Sequence, residues 1–164
     1  MAQTTISTNP AIGIAGQWAD AQNGANQSIG KVAVETIPAG CGVVVTAADE
    51  DTCELPDATG EVAGTATAAR FLGIALRPMD GSASYAAGEV VRIATVGVVW
   101  VATEDSSTAG EKPFVRFADA ATTLGTFRSD ADTADAVALP NALWNSTQGT
   151  AAGMAKVKLG NVFS

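Results

Sequence analysis

Asp130, Asp132 and Asp135 form the densest group of potential ligands in the chain, within the string Asp130-Ala131-Asp132-Thr133-Ala134-Asp135. Carboxylates at alternate positions resemble the opening of a calcium loop, because a hard cation draws several oxygens from one short turn. An EF-hand needs glycine at the sixth position and glutamate at the twelfth, where this chain has Asp135 and Asn141. The motif fails, which leaves a looser calcium loop or a simply solvated acidic turn. Asp49, Glu50 and Asp51 admit the same two readings. Cys41 and Cys53 flank that second acidic loop and read as free thiols of a reducing compartment, with a disulfide across the loop as the alternative. Two thiols without histidine cannot complete a tetrahedral zinc site.

The chain contains no histidine, which excludes Ser-His-Asp and Cys-His nucleophilic systems. No pair of acids sits in a recognisable catalytic motif. Gly40-Cys41-Gly42 and Gly73-Ile74-Ala75 are not phosphate loops, since neither leads into a helix or carries a following Lys-Ser/Thr. The sequence therefore assigns no catalytic, cofactor-binding or metal-binding residue, and the expectation is a protein that is not an enzyme. The remaining candidates are residues suited to an interface. Trp18 and Trp144 lie outside the clear strands, and Ile12, Ile14 and Gln17 surround Trp18 in an apolar knot. Trp100, inside an apolar run, reads as core.

Net charge is −8, from 9 basic and 17 acidic residues, and the basic residues are scattered. Nucleic acid and anionic membrane are unsuitable partners for such a chain. Charged residues make up only 16%, against about 25% in ordinary globular proteins. A surface covered by Ser, Thr, Asn, Gln, Gly and Ala suits a protein packed against neighbours. No N-terminal stretch joins a basic head to an apolar run, and none has the ~20 apolar residues of a membrane helix. The expectation is a protein made and kept in a cytoplasm.

The elements that must position these residues read as strands. Lys31-Val32-Ala33-Val34-Glu35-Thr36 alternates, with Val32 and Val34 on one face and Lys31 and Glu35 on the other. Val43 to Thr46 is a second strand, and residues 49–64 read as an acidic loop. In Leu72-Gly73-Ile74-Ala75-Leu76 the large residues share one face. Residues 90–96 and 98–101 are near-continuous apolar runs separated by Gly97, which predicts a bulge or tight bend. Residues 114–117, a short piece near Leu124 to Phe127, and Met154 to Leu159 follow, the last as a closing strand with a lysine-blunted edge. Residues 137–144 are apolar but broken by Pro140. No convincing amphipathic helix appears. The fold class is all-β, an antiparallel sandwich, jelly roll or small barrel. Residues 1–30 read as an extended N-terminal arm, on a partner or on its own domain, and residues 31–164 as one β-rich domain.

The order of elements carries a resemblance. Gly16-Gln17-Trp18-Ala19-Asp20, Ile37-Pro38-Ala39-Gly40, Phe71-Leu72-Gly73-Ile74-Ala75, Tyr85-Ala86-Ala87-Gly88-Glu89-Val90-Val91, Gly97-Val98-Val99-Trp100-Val101 and Ala109-Gly110-Glu111 follow one another along the chain. This pattern resembles the cement, or head decoration, proteins of tailed bacteriophages. The resemblance implies a non-enzymatic β-domain, made in the bacterial host cytoplasm, on the outer surface of the capsid. It implies contact with the major capsid protein where several subunits meet, clamping the expanded shell. It further implies a small homo-oligomer, a trimer in preference to a dimer, with an N-terminal arm reaching adjacent capsid subunits. Rival readings are another β-rich virion protein, such as a tail tube or connector, and a carbohydrate-binding or adhesin domain.

Overall fold

The computed structural model describes residues 13–19, 26–46, 49–57, 70–118, 124–149 and 152–160. Its axis is one long strand, β7 (Val90–Thr103), which runs through both halves of the molecule. At the usual rise it is roughly 45 Å long. The two apolar runs around Gly97 are thus a single strand. Its first half is flanked by β1 (Gln27–Ala33) and β5 (Phe71–Ala75), both antiparallel to it. Between them lie β3 (Gly42–Val45) and β4 (Thr52–Glu54), and β4 pairs in parallel with β1. The order β1-β4-β3-β5-β7 returns to β1 and closes a five-stranded barrel. Closure leaves no open edge in this half. A two-stranded piece, β2 (Ile37–Pro38) with β6 (Ser84–Tyr85), brings Ile37 and Tyr85 into the barrel's interior cluster.

The second half of β7 pairs with β12 (Gly153–Leu159), which pairs in turn with β11 (Ala142–Trp144). At its end Thr103 pairs in parallel with β9 (Phe127–Arg128), and β8 (Phe114–Arg116) and β10 (Ala136–Ala138) continue outward. One 3₁₀ turn, η1 (Asp132–Ala134), precedes β10. The chain around Pro140 therefore forms two short strands. β12 pairs with β7 along its whole length and with β11 over Val157–Leu159, so the second half of Met154 to Leu159 is interior rather than an edge.

Two bulges explain why simple alternation misleads. Val43 pairs with Gly73 and Val44 with Phe71, so β5 carries an extra residue there. Leu72 and Ala75 consequently line the barrel interior, while Phe71 and Ile74 face the second core. Both faces of β5 are buried, contrary to the expected split into a large and a small face. Gly73 (φ 152°) permits this, because a Cβ there would stand 1.9 Å from the Ala94 carbonyl oxygen. On β7, Gln27 pairs with Val96 and Ser28 with Ala94, which makes Thr95 the extra residue. Val91 and Ile93 then belong to the barrel core, whereas Ala94, Val99 and Val101 join the second core with Phe127, Trp144 and Val157.

The face of β1 is the reverse of the expected one. Ala33 is buried, while Val32 and Val34 are 37% and 48% exposed. The charged residues on the other parity find polar partners along β4: the Lys31 ammonium donates to the Glu50 carbonyl at 2.6 Å, and the Leu55 N–H donates to the Glu35 carboxylate at 2.8 Å. Their polar ends are satisfied there, so the valines are left outside.

Candidate interaction surface

Residues 13–19 lie against the domain as an added strand. Trp18 bridges Val99 in antiparallel sense. The Gly16 N–H donates to the Trp100 carbonyl at 2.8 Å, the Trp100 N–H to the Gln17 carbonyl at 2.9 Å, and the Ala19 N–H to the Val98 carbonyl at 2.8 Å. On the other side the Arg77 N–H donates to the Gly16 carbonyl at 2.8 Å. The seat is built from reciprocal glycine–tryptophan contacts. A Cβ on Gly13 would stand 2.1 Å from the Trp100 indole, and one on Gly97 would stand 2.8 Å from the Trp18 ring. Gly16 (φ 78°) approaches the Arg77 nitrogen so closely that its Cβ would lie at 2.6 Å. Trp100 is accordingly half-buried under this segment, with the Lys156 ammonium 4.9 Å from its ring centre, rather than in the core.

The interface candidates separate. Ile14 and Gln17 are exposed, and Trp18 is half-buried on Gly97. Ile12 lies outside the described residues. Trp144 is a core residue, 1% exposed and edge-on to Phe127 at 6.3 Å, so it offers no surface. Pro140 and the short β10–β11 connection turn it inward, a placement its irregular sequence neighbourhood did not reveal. An open cleft of about 470 Å³ beside the docked segment is lined by Trp18, Arg77, Met79 and Arg92, among others.

Sequence reasoning missed an apolar strip on the barrel wall. Val32 of β1 is the register partner of Val90 of β7, and Val90 is 61% exposed. With Val34 these make three of the six exposed large apolar side chains found among the described residues. The available signal was the valine alternation of β1, read with the wrong face inward.

The acidic turn is tied to arginines. Arg116, 2% exposed, donates from Nε to both Glu104 oxygens at 3.0 Å, and from Nη2 to Glu104 at 2.7 Å and Asp132 at 2.6 Å. Arg128 donates to Glu104 at 2.9 Å and to Asp130 at 3.0 Å. Thr126 donates to Glu104 as well. Burial raises the Glu104 pKa, but the hydrogen bonds from Arg116, Thr126 and Arg128 outweigh it and hold the carboxyl at about 2. Hydrogen bonding to Arg128 likewise lowers Asp130. Asp130 and Asp132 thus face guanidinium groups, which replaces the calcium-loop reading. Among the described residues no group of three or more His, Cys, Asp or Glu side chains is placed to hold a metal ion.

Cys41 and Cys53 are free, buried thiols, and burial pushes their pKa up to about 12 and about 11. Among the described residues no helix is long and apolar enough to cross a membrane.

A family model described as structural cement protein (E217 gp24/Pam3 gp6) matches residues 2–160. The chain belongs to this phage cement family. In fold it is similar to a chain of the capsid of Myoviridae phage XM1, with a TM-score of 0.73 at 14% identity and 98% of both chains covered. A second similar structure is the N base of the head fibre gp8.5 of bacteriophage phi29, at TM-score 0.46 and 9% identity, covering 83% of this chain and 95% of that one. No curated protein sequence matches. The cement protein is a structural component of the phage capsid.

Proposed function

We propose that this cement protein sits on the outer surface of the expanded head, binds the major capsid protein where subunits meet, and works there as a small homo-oligomer without catalysing a reaction. The family match over residues 2–160 carries the reading. The surface supports it. Val32 and Val90 lie on strands of a closed barrel and Val34 just past the end of β1, so the valine strip presents a preformed apolar face at little ordering cost. A surface poor in charge favours apolar contact with protein over binding to DNA. Cement by this mechanism is distributed adhesion: each copy buries modest area, and many symmetric copies brace the lattice.

The test is gradient sedimentation with expanded heads stripped of the protein. Rebinding at a fixed, high ratio to the major capsid protein, with increased resistance of the heads to heat, is the expected result. A few copies per particle, or none, would overturn the outer-surface reading.

A further inference from the structure

We propose that the cleft between the docked segment and the turn after β5 is a docking site for an acidic peptide segment of a neighbouring protein. Its carboxylates would meet Arg77 and Arg92, and an apolar side chain would lie against Trp18 and Met79. The arginines single this cleft out. The chain has five of them. Arg70 pairs with Glu54 at 3.2 Å, Arg116 with Glu104 at 2.7 Å and Arg128 with Glu104 at 2.9 Å. Arg77 and Arg92 have no carboxylate within ion-pair distance among the described residues, and both line this cleft. Arg77 makes one side-chain hydrogen bond, to the Gly81 carbonyl at 2.7 Å, and the exposed Arg92 guanidinium makes none. Acidic residues outnumber basic ones by 17 to 9. Two neighbouring guanidinium groups without carboxylates are therefore a local reversal of the molecule's charge.

Both walls are held in place before anything binds. Residues 78–81 form a tight turn, in which the Gly81 N–H donates to the Pro78 carbonyl at 3.1 Å. Asp80 accepts the Ser82 N–H at 2.8 Å, so its carboxylate is engaged on its own turn. Met79 stands at the tip, 88% exposed. The opposite wall is the docked segment, tied down by the Arg77 N–H on the Gly16 carbonyl and the Trp100 N–H on the Gln17 carbonyl. Leu76 is buried at the floor, and its N–H donates to the Arg92 carbonyl at 2.7 Å, which fixes the two arginine-bearing strands to each other. A ligand entering such a cleft has little to reorder. About 470 Å³ holds the side chains of a short segment rather than a folded surface. Arginine, tryptophan and methionine are the side chains enriched where proteins meet, and a guanidinium recognises a carboxylate through paired N–H donors. A long anionic polymer would bring its charge against a molecule of −8, whereas a segment with a carboxylate or two would not. The site is independent of where on the head the protein sits.

Calorimetric titration of the full chain tests this. The probe is a capped hexapeptide with two glutamates and two leucines, and its control carries glutamine in place of each glutamate. The acidic peptide should bind at least about tenfold more tightly than the control. Arg92→Gln removes an exposed guanidinium without a partner, so the melting temperature should hold while this preference falls at least about threefold. Arg77→Gln/Arg92→Gln should abolish the preference, and Met79→Ala should weaken both peptides. Failure of the acidic peptide to bind at millimolar concentration, equal affinity for the two peptides, or a preference that survives in the double variant would overturn the proposal. Tighter binding of a single-stranded hexanucleotide than of the acidic peptide would overturn it too, by making the cleft a phosphate site. Rebinding to stripped heads, measured separately, decides the cement reading whatever the titrations show.

Discussion

At the scale of single residues, Glu104 and Gly73 carry the most consequence. Glu104 is the acceptor for two arginines and a threonine at the end of β7, and their hydrogen bonds hold its carboxyl at about 2, below its ordinary 4.5. A depressed carboxyl contributes stability that is fully present above the unfolded pKa and is lost as pH falls through the folded one. The contribution is fully present at neutral pH and fades between about pH 4.5 and pH 2. Glu104→Gln should therefore lower the denaturation midpoint strongly at pH 7, and the gap from the unmodified chain should narrow at pH 2. A gap that does not depend on pH would mean that the carboxylate's charge is not what matters. Gly73→Ala is the steric counterpart. It places a Cβ against the Ala94 carbonyl oxygen at a φ that side chains rarely adopt. A loss on the order of 3 kcal/mol is expected in urea unfolding.

At the scale of elements, strand content was legible and strand faces were not. β-branched runs punctuated by glycine announced β5, β7, β8 and β12. The parallel pairing of β4 with β1 was hidden, because a three-residue strand inside an acidic loop has no periodicity to show. The bulges at Leu72–Gly73 and Thr95 shift alternation by one residue, and a pattern of period two cannot register its own slip. The seat of residues 13–19 was partly legible: the apolar knot announced docking, but the partner surface depends on Gly97, which from sequence alone signals only a bend. Here Gly13→Val gives a prediction of its own. The new side chain must displace the Trp100 indole, so Trp18 and Trp100 should become more accessible to acrylamide, while Trp144, buried beside Phe127, stays protected. Quenching that is unchanged would show that the segment tolerates the substitution in place.

At the scale of the whole molecule, the question is what kind of force holds a cement protein of charge −8 to a shell. Ionic adhesion would need unpaired charge on the contact face. On the barrel wall Lys31 pairs with Asp51 at 3.4 Å and with the Glu50 carbonyl, Arg92 is exposed two residues along β7 from Val90, and Val32, Val34 and Val90 stand uncovered, so salt separates the ionic from the apolar contribution. Burial of apolar area is insensitive to moderate salt, while exposed ion pairs are screened over about 8 Å at physiological ionic strength. Binding of the protein to stripped heads should thus change little between 0.05 and roughly 0.5 M sodium chloride. Val32→Thr/Val34→Thr/Val90→Thr keeps the β-branched shape, so the fold should lose no more than about 0.5 kcal/mol per exposed site. The same change puts hydroxyls into a dry contact, at a cost of about 1 kcal/mol or more per residue. Together they should weaken head binding by at least about tenfold. Strong salt sensitivity with an unaffected triple variant would move the contact off the barrel wall and onto a charged part of the surface.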